Sequence, residues 1–135
     1  MPTKIVIYIS KAVPDLARPD IERLMFEARG LNAINGVRGI LTYDDRGFLQ
    51  AIEGTSDAID DIVARILADP RHCEIELLLD APTDGLQFDS FTDVLCPPGK
   101  LADPAIFADW VLARLSGDVA AAIGRGYAML GERQG

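Results

Sequence analysis

Histidine and cysteine are scarce in this chain of 135 residues. His72 is the only histidine, and the two cysteines, Cys73 and Cys96, are well separated in the sequence. A structural zinc site needs about four clustered histidine or cysteine ligands, and a disulfide-stabilised domain needs several cysteine pairs. The composition argues against both, so we expect reduced, buried thiols and no metal centre.

Membrane-spanning and strongly basic segments are also missing. No apolar run approaches the roughly 20 residues that cross a bilayer, and the N-terminal residues lead directly into a strand-like run without a signal-peptide pattern. Acidic residues outnumber basic ones by 21 to 13, which gives a formal net charge of −8. Because that charge repels nucleic acids and anionic membranes, we expect the protein to bind neither. The two isolated cysteines and the lack of a signal-peptide pattern lead us to expect a cytoplasmic protein.

Motifs of enzyme chemistry are absent as well. The chain has no glycine-rich phosphate loop, no nucleophile–base pair, no internal repeat and no low-complexity segment. A small enzyme, such as an acylphosphatase-like hydrolase, has no motif in its favour, and we do not expect an enzyme. What the chain does contain, 49% hydrophobic and 25% charged residues, is typical of one globular domain.

Hydrophobic periodicity predicts seven elements in the first part of the chain. In the first strand, isoleucines lie on one face and Val6, Tyr8 and Ser10 on the other, which indicates a sheet covered on both faces. The predicted order is a strand at 4–10, a helix from Pro19 towards Gly30, strands at 37–43 and 48–53, a helix from Thr55 or Ser56 to Pro70, and strands at 75–80 and 91–95. This β-α-β-β-α-β-β order predicts an α+β, ferredoxin-like sheet with an added strand and two helices on one face.

Two further helices are predicted after the Pro97-Pro98-Gly99 break. The first begins at Asp103-Pro104 and carries Trp110, the only tryptophan, on an apolar stripe, and the second covers residues 118–130. We expect a domain at 1–97 with a helical extension at 98–135 that covers the other sheet face within the same compact unit. The Trp110 stripe, which also contains Phe107, Val111 and Leu115, either only caps the sheet or also reaches a partner chain.

Tyr8, Asn32 and Gln50 are polar residues at positions where a half-buried sheet normally carries apolar ones. Burying such a group unpaired costs about 1–3 kcal/mol, so each needs a partner. A phenol and two carboxamides can together line a planar ligand rich in heteroatoms. Taken singly, a strand tyrosine is more commonly a packing residue and a helix-end asparagine a cap.

Four fragments that contain these residues occur in the order and spacing of a known family, which they resemble over residues 4 to about 95. They are Ile7-Tyr8-Ile9-Ser10, Asn32 ahead of Gly36-Val37-Arg38-Gly39-Ile40-Leu41-Thr42-Tyr43, Gly47-Phe48-Leu49-Gln50-Ala51-Ile52-Glu53-Gly54, and Asp69-Pro70-Arg71-His72. The family is BLUF, the flavin-binding sensors of blue light. The resemblance implies a non-covalently bound flavin, usually FAD with FMN possible, between the two helices and the sheet.

The resemblance also implies roles for individual residues. Tyr8 corresponds to an electron-donating tyrosine, Gln50 to the glutamine that switches its hydrogen bonds between Tyr8 and the flavin, and Asn32 to an anchor for the pyrimidine side of the ring. Ser10 lies one strand repeat from Tyr8 on the same face. Further contacts to the ring edge, ribityl chain or phosphates are implied for Arg65, Asp69, Arg71 and His72.

Some of these residues have a simpler interpretation. Asp61, Arg65 and Asp69 are spaced four apart, so they could form only an ion-pair ladder on the surface of a helix. His72 could equally be an exposed loop residue. These alternatives stay open at the level of the sequence.

The chain departs from the family pattern at three places. Leu31 replaces a polar residue that often precedes the asparagine, and Phe91 and Asp93 stand where many members have tryptophan and methionine. A charged Asp93 near a dry flavin edge would be costly, so we expect its pKa to influence the response. These changes leave the polar trio intact and affect the predicted signalling strand.

The sequence therefore predicts a BLUF-like photoreceptor with no effector enzyme on the same chain. Its signal would pass through the sheet and the C-terminal helices to a homo-oligomer or to a separate protein effector. The alternative is a flavin-free protein-interaction module that kept the fold and lost the photochemistry.

Overall fold

The computed structural model describes residues 2–14, 16–44, 47–83, 88, 91–95 and 117–132, with Asp44 and residues 91–95 described through their backbone. In chain order the elements are β1 (Thr3–Ala12), α1 (Arg18–Ile34), β2 (Arg38–Asp44), β3 (Gly47–Thr55), α2 (Ser56–Ala68), β4 (His72–Thr83), β5 (Phe91–Leu95) and α3 (Gly117–Glu132). None of the described helices is long and apolar enough to span a bilayer.

The strands form one sheet in the order β4-β1-β3-β2-β5. Neighbouring strands are antiparallel except β2 and β5, which run parallel. The central strands β1 and β3 pair in a register that sets Tyr8 directly opposite Gln50. The structure confirms the α+β, ferredoxin-like fold class, with β5 as the added strand at one edge.

Both faces of the sheet are covered, as the alternation in β1 predicts. Ile5, Ile7 and Ile9 pack with residues of β3 against α3, whose contribution to this core is Val119, Ala122, Ile123, Tyr127 and Leu130. On the opposite face, α1 and α2 pack over Val6 and the polar pair. The helix predicted from Asp103, with Trp110, lies outside the described residues.

Local interactions fix the start of α2 and its position on the sheet. Thr55 is the N-cap of α2, because its hydroxyl accepts a hydrogen bond from the Ala58 N–H at 3.3 Å, which decides between the two predicted caps. Lys4 in β1 donates to Asp60 in α2 at 2.6 Å and contacts Asp80 in β4 at 3.1 Å. One ammonium group therefore ties α2 to two strands.

The fourth strand is longer than the sequence predicts, extending from His72 instead of Ile75. Pairing with β1 continues through two irregularities in register, and Glu74 adopts a positive φ of 50° beside one of them. A bulge of this kind interrupts the two-residue alternation, so the strand's first residues carry no periodic signal. The extension brings His72 onto the same sheet as Tyr8. Cys73 in this stretch is free and partly exposed, which corrects the prediction of a buried thiol.

Candidate functional site

A cavity opens between α1, α2 and the sheet face that carries Tyr8. Its polar lining consists of Tyr8, Asn32, Gln50, Arg65, Asp69, Arg71 and His72. Its apolar lining consists of Leu24, Ala28, Leu31, Leu41, Ile62 and Ile66. An apolar slot with a few convergent polar groups is typical of a site for a flat organic ligand.

Tyr8 and Gln50 form a buried hydrogen-bonded pair in the wall of this cavity. The Gln50 side-chain amide donates from Nε2 to the Tyr8 hydroxyl at 2.7 Å, and both side chains are 2% exposed. The amide oxygen, Oε1, is also buried and has no hydrogen-bond partner among the described residues. A buried acceptor of this kind is expensive to leave unpaired, so its position favours a polar ligand atom nearby.

The surroundings keep the Tyr8 phenol protonated. Burial raises the pKa of Tyr8 well above its usual range, and the nearby Asp69 carboxylate adds to that shift, while the hydrogen bond from Gln50 opposes it. Tyr8 therefore presents a neutral hydroxyl that can both donate and accept hydrogen bonds at physiological pH.

Asn32 enters the cavity from the last turn of α1. It is buried, and its backbone carbonyl accepts a hydrogen bond from the Val37 N–H at 2.8 Å. Gly36, at a φ of +67°, makes the turn that brings Val37 back to this carbonyl. The chain reversal after α1 thus fixes the Asn32 backbone beside the sheet.

The rim of the cavity carries two arginines with different roles. Arg71 binds both oxygens of Asp69 through Nε and Nη2 and reaches Glu27 of α1 at 2.8 Å. The hydrogen bonds from Arg71 lower the pKa of Asp69, and those to Asp69 raise the pKa of Arg71. Arg65 instead pairs with Asp61 at 3.1 Å on the exposed side of α2. The predicted ion-pair ladder therefore exists only between Asp61 and Arg65, since Asp69 turns to Arg71.

His72 closes one end of the cavity. Its Nδ1 lies 3.0 Å from the Ser10 hydroxyl, and its ring packs on Phe48 with 4.9 Å between ring centroids. Burial lowers the pKa of His72, and the Arg71 charge acts in the same direction, whereas the Asp69 carboxylate raises it. The imidazole is therefore neutral near pH 7 and is not an exposed loop residue.

The structure brings most of the predicted site together. Of the eight residues predicted to contact the cofactor, all but Ser10 line the cavity; Ser10 is fully buried and bonds His72. The backbones of Phe91 and Asp93 lie in β5, beside Gly39 and Leu41 of β2, and their side chains lie outside the described residues. The described residues contain no cluster of acidic, histidine and cysteine side chains that could hold a metal ion.

Several lining residues were missed by sequence reasoning. Leu24, Ala28, Ile62 and Ile66 recur at helical spacing, which predicts buried positions but does not distinguish the turn that faces the cavity. The contact of Glu27 with Arg71 at the rim was also missed, because local spacing cannot predict a contact between residues far apart in the chain. Spacing within a helix cannot show which turn of an apolar stripe is left uncovered by the sheet.

The sequence of the chain is similar to that of known proteins. The model of the BLUF family, described as sensors of blue-light using FAD, matches residues 4–93. The chain belongs to the BLUF family. Among curated proteins, the photoactivated adenylate cyclase subunit beta of Euglena gracilis is 35% identical over 75 residues. That match covers 56% of this chain and 9% of the cyclase subunit, so the chain spans a small part of the curated relatives it matches.

Solved BLUF structures share the fold. BlrB, a BLUF protein in its dark state, is 31% identical with a TM-score of 0.69, over 95% of this chain and 96% of BlrB. BlsA in its ground state is 28% identical with a TM-score of 0.62, over 70% of this chain and 65% of BlsA. Klebsiella pneumoniae BlrP1, solved with FMN and cyclic diGMP, is 28% identical with a TM-score of 0.61, over 68% of this chain and 25% of BlrP1.

Proposed function

We propose that this BLUF chain binds FAD non-covalently in the cavity between α1 and α2, and that Tyr8 and Gln50 form its light-operated hydrogen-bond switch. The observation that carries the proposal is the buried Tyr8–Gln50 bond of 2.7 Å beside an amide oxygen with no partner in the described part of the chain. The family match supports a flavin, and the same pair would serve FMN.

The chemistry of the cavity lining supports a flavin as its ligand. The carboxamides of Asn32 and Gln50 offer donors and acceptors to the heteroatoms of the ring, and apolar residues of α1 and α2 would cover its faces. Arg65 and Arg71 would approach the phosphates from the rim, where both already hold carboxylates. When bound, the flavin would supply blue-light absorption and an electron acceptor.

The residues of the chain supply the switch. Tyr8 is an oxidisable phenol, kept neutral by burial, and its hydroxyl accepts the hydrogen bond from Gln50 Nε2. Rotating the Gln50 amide by half a turn exchanges Nε2 and Oε1, so Tyr8 would then donate to Oε1. The exchange reverses the hydrogen bond while the side chain keeps its shape.

The output would leave through the sheet. Gln50 lies in β3, and the other face of the same strand packs against α3. A changed fit of β3, β5 and the C-terminal helices would alter self-assembly or the binding of a separate effector. We therefore expect the chain to act as a homo-oligomer, as a regulator of a partner protein, or as both.

Three proteins test this function: the native chain, Tyr8→Phe and Gln50→Leu. The native chain should be yellow, release intact flavin when denatured, and show a small reversible red shift of flavin absorption under blue light. Each variant removes one half of the switch with little change of volume and should lose the shift. Tyr43→Phe removes a phenol hydroxyl outside the cavity lining and should keep it.

Chromatography of the released flavin distinguishes FAD from FMN. A colourless native chain that takes up no added FAD would favour the flavin-free interaction module. A full red shift in either switch variant would instead leave flavin binding intact and disprove the roles given to Tyr8 and Gln50.

A further inference from the structure

Glu53 is an acidic residue buried within the sheet, and the proposed switch does not use it. It lies three residues after Gln50 in β3 and is 0% exposed. Alternation along the strand places it on the opposite sheet face from Gln50. A buried carboxyl group destabilises the fold unless it is hydrogen-bonded, so the contacts of Glu53 indicate what it does.

The Glu53 carboxyl group holds the backbone just before β5. Its Oε1 accepts a hydrogen bond from the Phe88 N–H at 2.6 Å, and Arg38 Nη1 approaches the Phe88 carbonyl at 3.4 Å. The Phe88 ring is itself buried in the core beneath α3. Phe88 is thus held at three points: its N–H by Glu53, its carbonyl by Arg38 and its side chain by the core beneath α3.

This anchor lies only three residues ahead of β5. Five residues of parallel pairing at a sheet edge specify a register weakly, and a slip of one residue would turn every side chain to the other face. In the observed register, Leu41 of β2 lies beside Gln50 on one side and Asp93 on the other. The position of Phe88 therefore decides which β5 residue lies level with Gln50 on the far side of β2.

We propose that Glu53 is a positioning residue that sets the register of β5 beside the switch by holding the Phe88 peptide group. Glu53 and Gln50 share one short strand, so the anchor of β5 and the amide that reorients belong to the same rigid segment. The effect on the photocycle rests on the proposed function, whereas the anchoring of β5 does not.

The test compares Glu53→Leu, which removes the acceptor, with Glu53→Gln, which keeps an oxygen in the same place. Deuterium uptake is measured in the dark on the full chain, in peptides that cover residues 88–95. Glu53→Leu should exchange about tenfold faster there than the native chain, because a lost anchor lets β5 open locally. Glu53→Gln should stay close to the native rate.

Two further variants control for fold and location. Arg38→Met removes the second contact to Phe88 from an exposed position, and it should accelerate the same peptides more weakly even if Glu53→Leu does not fold. Thr3→Val removes the 2.9 Å hydrogen bond to the Thr83 carbonyl at the far side of the sheet. It should leave the β5 peptides unchanged.

The photocycle supplies the second measurement. If the chain binds flavin, the dark-recovery time of Glu53→Leu should differ from the native value by about threefold or more, and Glu53→Gln should restore it. If deuterium uptake in the β5 peptides of both Glu53→Leu and Arg38→Met equals that of the native chain, the proposal is wrong. Faster uptake with an unchanged recovery time would overturn the link to the switch. If the chain binds no flavin, the proposed function is wrong. The deuterium-uptake result would still test whether Glu53 holds β5.

Discussion

At the scale of single residues, His72 is a titratable group whose pKa is shifted by folding in the range near neutral pH. It faces Ser10, Phe48, Asp69 and Arg71, and burial lowers its pKa below the ordinary value of 6.5. Since the unfolded chain then binds the proton more readily, the free energy of unfolding should be highest above that ordinary value. It should fall as the pH drops towards the folded pKa.

The His72→Asn variant tests this directly. Asparagine keeps a polar atom near the position of Nδ1 but does not titrate. The free energy of unfolding of the variant should therefore change less than that of the native chain between about pH 7.5 and about pH 5.5. Urea unfolding of both proteins at several pH values is the measurement. Parallel profiles would show that His72 does not control acid stability in this range.

The predictability of the site differs from residue to residue. Tyr8 and Gln50 could be predicted because strand alternation puts them on the same face as apolar neighbours, and the β1–β3 register then makes them meet. The position of Ser10 behind His72 could not, because it depends on a bulged stretch of β4. The contact of Arg71 with Glu27 could not be predicted either, because Glu27 belongs to another element.

At the scale of elements, α3 is seated on the sheet through a glycine. A Cβ atom at Gly126 would lie 2.5 Å from Leu49 and 2.9 Å from Leu78, whereas one at Gly124 would meet nothing within 4 Å. Leu49 directly precedes Gln50 in β3. The close approach of α3 therefore occurs directly behind the Tyr8–Gln50 pair.

Gly126→Ala and Gly124→Ala form a matched pair on this helix. Alanine gains about 1 kcal/mol of helix propensity at either position, but overpacking costs about 1–3 kcal/mol. We expect Gly126→Ala to lower the free energy of unfolding by about 1 kcal/mol and Gly124→Ala to raise it by up to about 1 kcal/mol. Thermal and urea unfolding measure both, and equal stabilisation by the two variants would contradict the close contact.

The elements themselves followed from periodicity where it is regular. The alternation of β1 predicted its two buried faces, and the stripe of α2 predicted a helix ending near Pro70. The extent of β4 was underestimated because its bulges break the alternation. Hydrophobic periodicity predicts the extent of a strand or helix only where the backbone geometry is regular, and a bulge ends that regularity.

At the scale of the whole molecule, the C-terminal segment has a structural role in addition to any signalling role. Helix α3 covers Ile5, Ile7 and Ile9, so deleting residues from Asp103 onwards would expose one face of the sheet. Assembly is better tested by a point substitution than by truncation. Trp110, outside the described residues, is the predicted anchor for a partner chain.

We expect sedimentation to show an oligomer whose size or stability changes with blue light. Trp110→Ala should weaken that assembly by about tenfold or more in dissociation constant, since anchor residues of this type are worth about 2 kcal/mol. Phe26→Ala removes an aromatic side chain that is 69% exposed on α1 and should leave assembly unchanged. A monomer in both light and dark would restrict the C-terminal helices to covering the sheet.

The parallel pairing of β2 with β5 also has a consequence for the order of folding. The β2–β3 hairpin joins neighbours in the chain, whereas the β2–β5 pair joins Gly39 to Phe91. Closing the longer loop costs more entropy before any contact is gained, so β5 should dock late. The two central strands can therefore bring the Tyr8 phenol and the Gln50 amide together while the β5 edge of the sheet is still open.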